Sequence, residues 1–335
     1  MRYQYSVDTE KISFIFYIMQ YLILFLLFLV IELLYFKIAD QYNIIDKPNS
    51  RSSHSSITLR GGGIIFPIAI VIAFFMGYVS WSIMLAVVLV ASVSFIDDIK
   101  PLSQLPRFLS HVIAAVLVFY GLNLFSESLW LLPILFVLLI GWVNAFNFMD
   151  GINGITVLYA LTAIISFSLL PLNQLQLPLL ITMALSCIIF GIFNVRKKAK
   201  TFAGDVGSIS MALFLGYFMT KTIIESGQFA FILFFSIYGI DAGITIFTRI
   251  KKRENIFQPH RSHLYQYLAN EMGMSHVLVS CIYAALQLGL NIFLIYMDAN
   301  GNLTLTVAIG ILFTLLILYM LLRQFIVRKM VLANS

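Results

Sequence analysis

Apolar runs bounded by charges or turn residues recur along nearly the whole chain and predict helices near 14-36, 62-77, 80-96, 107-123, 130-147, 154-170, 177-193, 209-224, 230-248, 276-297 and 303-322. The windows 62-77 and 80-96 are short for a full crossing, so ten spans is the alternative to eleven. The pattern predicts an all-α polytopic transmembrane bundle, with residues 1–335 as one membrane domain. No 20 to 50 residue repeat interrupts it.

Composition points to the same solvent. At 335 residues, 61% hydrophobic and 11% charged, with a mean hydropathy of +0.96, the chain has more apolar surface than a water-soluble globule can hide. The first run is longer than the apolar core of a secretory signal and lacks a small-residue cleavage site, so it reads as a retained helix. Cys187 and Cys281 lie inside apolar runs and suggest neither a disulfide framework nor a thiolate metal site.

Charge gives the expected orientation. All of the 21 Lys and Arg except Arg2, Lys11 and Lys221 fall on one set of connecting segments and the C-terminal tail. Basic residues favour the cytoplasmic side, so the N-terminus is expected outside, with cytoplasmic loops at about 37-61, 97-107, 148-154, 194-208 and 249-275. The net charge of +6 is accounted for by this topology and by anionic headgroups of the membrane lipids, without nucleic acid.

The chemistry-bearing residues sit on those same segments. The first carries Lys47, Asn49 and Arg51, then Arg60 and three glycines at a helix entrance; exposed glycine amides plus basic side chains suit a phosphate, although a plain basic loop would look alike. Asp97 and Asp98 end a helix, where the dipole prefers cations, so a divalent ion or Lys100 and Arg107 should compensate them. Asn144, Asn147 and Asp150 form a stripe at three-residue spacing, costly on an apolar helix unless it binds substrate or metal. Asp205 and Ser208 could bind a ligand or cap a helix. Asp241 lies inside a predicted span, about 12 Å from the nearest basic loop at ~1.5 Å per residue. His260 and His263 make a poor zinc pair and fit phosphate contact better.

Taken in order, D-K-P-N-x-R-x-x-H with R-G-G-G, F-I-D-D, N-x-x-N-x-x-D-G-x-x-G, F-x-G-D-x-G-S and P-x-R-x-H resemble the polyprenyl-phosphate N-acetylhexosamine-1-phosphate transferases, over about residues 40 to 270. The resemblance implies a Mg²⁺-dependent enzyme of the bacterial inner membrane, with Mn²⁺ as a substitute ion. It would transfer a sugar 1-phosphate from a UDP-N-acetylhexosamine to undecaprenyl phosphate; a homodimer is compatible with it. By the same resemblance Asp205 and Asp150 are metal ligands, and Asp97, Asp98 and His263 are catalytic. Asn144, Asn147, Asp150, Phe202 and Arg261 bind substrate by the same resemblance, Phe202 stacking on uracil; Lys47, Asn49, Arg51, Arg60, Asp241 and His260 are expected to bind substrate from the reading of their own segments. Where the GlcNAc-1-phosphate enzymes have His-x-His-His, this chain reads His263-Leu264-Tyr265-Gln266, which sets it closer to the branch that starts surface polysaccharides such as O-antigen. The alternative is a secondary transporter of an anionic solute, suggested by the span count and by intramembrane Asp241.

Overall fold

A computed structural model describes residues 2–47, 57–127, 129–255 and 260–333. In lipid every backbone N–H and C=O must find a partner within the chain, and these apolar runs meet that demand as helices. The long helices are α1 (Arg2–Gln41), α2 (Ile65–Phe75), α3 (Trp81–Ile99), α4 (Gln104–Gly121), α5 (Leu132–Met149), α6 (Ile155–Ser168), α7 (Leu177–Asn194), α8 (Gly204–Ser226), α9 (Ser236–Lys251), α10 (His276–Ala299) and α11 (Leu305–Ala333). Pro133 and Pro178 fall in the first turns of α5 and α7, where a missing N–H removes no helical bond.

Among the described residues nine helical segments are long and apolar enough to cross a membrane, and the two short ones are 62–75 and 155–168. The window 80-96 was expected to be short; α3 in fact runs to Ile99 and is long enough, because Asp97 and Asp98 continue the helix as its last turn. A small addition to the all-α expectation is an antiparallel pair, β1 (Ile45–Asp46) with β2 (Thr58–Leu59), in register Ile45 to Leu59 and Asp46 to Thr58.

α8 is the central element. Its span is 89% buried, whereas that of α11 is 6% buried and leaves its apolar side chains to lipid. α8 packs against α3 and α5, and α6 against α10. Stacked rings fill the join between α5, α6 and α9: Trp142 on Phe235 at 3.7 Å and Tyr159 on Tyr238 at 3.5 Å, with Trp142 Nε1 donating to the Ala212 carbonyl at 2.9 Å. Residues 229–235 form a 3₁₀ stretch before α9, and Gln287 of α10 repairs its ladder. Its Nε2 donates to the Leu233 carbonyl and its Oε1 accepts from the Ile237 amide, both at 2.9 Å. The repair holds the broken helix end in place and so fixes where α9 points.

Candidate active site

The segments that carry the sequence motifs are knitted together by backbone. Phe202 N donates to the Leu59 carbonyl at 2.8 Å, and Gly62 and Gly63 donate to the carbonyls of Phe202 and Ala203 at 2.9 and 3.1 Å. This corrects one expectation: the glycines after Arg60 do not hold those amides open for a phosphate. They permit a close approach instead. A Cβ on Gly63 would lie 2.4 Å from the Gly207 Cα, and one on Gly204 would lie 2.5 Å from the Asp98 carboxylate. The R-G-G-G run is therefore a backbone-to-backbone seam with the start of α8.

That seam brings the acids together. Neither Ala203 nor any residue of its own first turn caps α8 with a side chain; Asp98 of α3 does so across the interface. Its Oδ1 accepts from Asp205 N at 2.9 Å and its Oδ2 from Val206 N at 3.0 Å, while Arg60 Nε donates to Oδ1 at 2.8 Å. Asp97 points the other way, accepting from Leu102 N at 2.6 Å and pairing with Arg107 at 3.3 Å. Arg107 also reaches Asp205 Oδ2 at 3.7 Å, and so bridges two carboxylates that themselves lie within hydrogen-bonding reach. Asn147 completes the shell, donating to Asp205 Oδ1 at 3.1 Å and to Ser208 Oγ at 2.8 Å. Asp150, at the C-terminus of α5, accepts from Thr156. Burial first, and then the charges of Asp205 and Asp98, push its carboxyl up to about 7 against the pull of Thr156 and Arg60.

The expected metal can be tested against this donor set. Among the described residues no three of His, Cys, Asp and Glu are arranged to hold an ion unaided. The chemistry nevertheless fits a hard divalent cation: Asp205 and Asp150 offer oxygen only, and Arg107 stands 3.7 Å from the outer Asp205 oxygen. Mg²⁺ commonly takes one or two carboxylates and completes its shell with water and substrate phosphate.

Not every expected residue joins this cluster. Asn144 donates to the Ile140 carbonyl of its own helix at 2.8 Å, which takes it out of the Asn147 shell. Lys47 is exposed at the end of β1, and Asn49 and Arg51 lie outside the described residues. Phe202 is half-buried beside Asp205, and Arg261 is half-buried between the two histidines. Arg107 compensates Asp97 as expected, and one residue that the sequence reading left out also holds the site in shape: Asn194, which accepts from Gly154 N at 2.7 Å and donates to the Thr201 carbonyl at 2.9 Å. No spacing rule marks Asn194; only a lone amide at the end of an apolar run hints at it.

Asp241 requires a second correction. Expected as a substrate ligand, it is fully buried and saturated by protein donors: Leu264 N at 3.1 Å, Tyr265 N at 3.4 Å, Tyr283 Oη at 2.6 Å, Tyr319 Oη at 3.1 Å and Thr245 Oγ1 at 3.4 Å, with His263 Nδ1 at 3.2 Å. It anchors the loop that carries His260 and His263. The loop in turn docks on the acid cluster, because Tyr265 Oη donates to the Phe148 carbonyl at 3.2 Å and lies 2.2 Å from where a Gly151 Cβ would be. His260 Nδ1 is 3.1 Å from Ser262 Oγ, and burial, then His263 and Arg249, hold His260 down at about 4.

An apolar cavity of about 520 Å³ is bounded by Ala145, Trp142, Gly216, Met219, Ile240 and Leu316. Ala145 places one end of it between Asn144 and Asn147 on α5.

Comparison with known proteins follows this geometry. Residues 80–223, which contain Asp97, Asp98, Asn147, Asp150 and Asp205, match glycosyl transferase family 4. The chain is 24% identical over 269 residues to a probable undecaprenyl-phosphate N-acetylglucosaminyl 1-phosphate transferase of Bacillus subtilis, covering 72% of this chain and 73% of that protein. It is 26% identical over 264 residues to an undecaprenyl-phosphate alpha-N-acetylglucosaminyl 1-phosphate transferase of Thermotoga maritima, covering 75% and 82%. Against a phospho-N-acetylmuramoyl-pentapeptide-transferase of Streptococcus uberis the identity is 31% over 156 residues, 39% of this chain and 46% of that one.

Proposed function

We propose that this chain, whose residues 80–223 match glycosyl transferase family 4, transfers an N-acetylhexosamine 1-phosphate from a UDP-sugar to undecaprenyl phosphate, releasing UMP. The product would begin a lipid-linked surface polysaccharide at the inner membrane of a bacterium, with the acid cluster on the cytoplasmic face. The observation that carries this reading is Asp98, which ties Arg60, the double acid of α3 and the start of α8 into one polar centre at a membrane boundary. The 520 Å³ apolar cavity, whose lining reaches Ala145 on the helix that carries Asn147, supports a polyprenyl chain as the acceptor tail.

Both reactants are anions, so the site must lower their repulsion before bonds can form. Arg60 and Arg107 supply fixed positive charge beside the carboxylates, and Phe202 is the residue assigned to the uracil. Mg²⁺, held by Asp205 with Asp150, would neutralise charge on the transferring phosphoryl group. Both Asp97 oxygens are engaged, by the Leu102 amide and by Arg107, which supports direct attack of the lipid phosphate over a relay through Asp97. The transporter reading rested on an unexplained intramembrane acid, and the six partners of Asp241 remove that motive. Donor-dependent UMP release by the purified protein tests the proposal.

A further inference from the structure

Asp241 offers more than an anchor, because what surrounds it dictates the state of its neighbour. A carboxylate only accepts, and the backbone amides of Leu264 and Tyr265 only donate, so both Asp241 oxygens are occupied as acceptors. The phenols of Tyr283 and Tyr319 add two further O–H groups directed at the same oxygens. His263 Nδ1, at 3.2 Å from Oδ1, can complete this arrangement only as N–H. The neutral ring then carries its lone pair on Nε2. That nitrogen is buried and has no hydrogen-bond partner among the described residues. A native interior rarely leaves such an atom unpaired without a use for it.

The ring is also held firmly. His263 is 1% exposed, and its backbone amide donates to Gln266 Oε1 at 3.2 Å. Its face packs against Tyr265 at 5.6 Å between centroids, and Tyr265 touches the Asp150-Gly151 turn. The His260 ring lies 4.8 Å away on the same loop. From α11, Arg323 donates to Tyr319 Oη at 3.0 Å, to Thr245 Oγ1 at 2.9 Å and to the Ser262 carbonyl at 2.9 Å, bracing both Asp241 and the loop. The charged and titratable groups facing the pair are thus His260, Tyr238, Tyr265, Tyr283, Tyr319 and Arg323.

We propose that Asp241 is a positioning residue of the transfer reaction, which locks His263 in the Nδ1–H tautomer and so presents Nε2 as a proton acceptor to the acceptor phosphate. This rests on the transferase reading. When the lipid phosphate binds as a monoanion, its P–O–H proton passes to Nε2 and Asp241 stabilises the imidazolium. The freed oxygen forms a bond to the β-phosphorus of the donor. The bond from that phosphorus to the bridging oxygen breaks, its electron pair leaves with UMP, and the imidazolium proton follows to UMP. Charge and protons balance, since one proton moves from acceptor to leaving group.

Two measurements on the full-length protein in lipid nanodiscs test this. The first is ¹⁵N NMR of histidine-labelled protein, with His263 assigned by its loss in His263→Gln. The spectrum should show Nδ1 protonated and Nε2 bare, and Asp241→Ala, which leaves Nδ1 without its acceptor, should lose that preference. A wild-type His263 protonated on Nε2, or a tautomer preference unchanged in Asp241→Ala, overturns the proposal even if no variant is active. The second is the pH profile of UMP release with undecaprenyl phosphate. Asp241→Asn and His263→Gln should lose about 10²-fold or more at pH 6, where the phosphate monoanion is abundant, and clearly less at pH 8.5. An equal loss at every pH would make Asp241 a mere loop anchor. Wild-type protein that releases no UMP at any pH would instead remove the transferase reading, while the spectrum still reports on the pair.

Discussion

Asp98 caps the helix that carries Asp205 from a different helix, accepting the amides of Asp205 and Val206 on its two oxygens while Arg60 holds it from the side. Replacing it tests whether the double acid is structural as well as chemical. Asp98→Ala leaves two amides of α8 unpaired and Arg60 without its acid, and should lower stability by about 1–2 kcal/mol for the cap alone. Asp98→Asn keeps an oxygen for the amides and should melt closer to wild type in a detergent-solubilised thermal scan. Both should be strongly impaired in transfer.

The glycine seam makes a sharper structural prediction. A methyl on Gly63 meets the Gly207 Cα at 2.4 Å and one on Gly207 meets the Gly63 Cα at 2.6 Å, so no side-chain rotation relieves either clash. Gly63→Ala and Gly207→Ala should each cost about 1–3 kcal/mol. Gly310→Ala on α11, with nothing within 4 Å, should be neutral or slightly stabilising in the same thermal scans.

If the apolar cavity holds the polyprenyl chain, filling it should act on the acceptor alone. Gly239 borders the cavity and a Cβ there meets nothing within 4 Å. Gly239→Leu should raise KM for undecaprenyl phosphate about tenfold, a change of ~1.4 kcal/mol, and leave KM for the sugar donor within a factor of two. Steady-state kinetics with each substrate varied in turn separates the two.

His260 sets an acid limit on stability. Its folded value of about 4 lies below its ordinary 6.5, so the unfolded chain binds the extra proton between them. Its contribution is complete above about pH 6.5 and is lost as pH falls through 4. Melting temperatures measured from pH 7.5 to 4 should fall less steeply in His260→Gln than in wild type.

Much of this was open to reading from the residues. The apolar windows located the helices, and the grouping of acids, asparagines and basic side chains on one set of segments foretold that Arg60, Asp97, Asp98, Asn147, Asp150 and Asp205 would lie close together. The misreadings have physical causes. A glycine run looks the same whether it approaches a phosphate or another backbone, and only the partner at 2.4 Å decides that Gly63 does the latter. Asp241 announced that a buried acid needs partners, but most of those partners come from a loop about twenty residues later and from tyrosines on α10 and α11. Nothing in the local sequence of α9 specifies them. Asn144 and Asn147 share a stripe, yet the first satisfies itself on the Ile140 carbonyl of its own helix while the second reaches Asp205 and Ser208 of α8.

The account stands most directly on one assay: UMP release by purified protein supplied with undecaprenyl phosphate, Mg²⁺ and a panel of UDP-N-acetylhexosamines, with Asp205→Asn alongside. Metal-dependent release with one donor, lost in the variant, is the predicted result and would also identify the sugar. Folded wild-type protein that releases no UMP with any donor, or an Asp205→Asn variant as active as wild type, would contradict it.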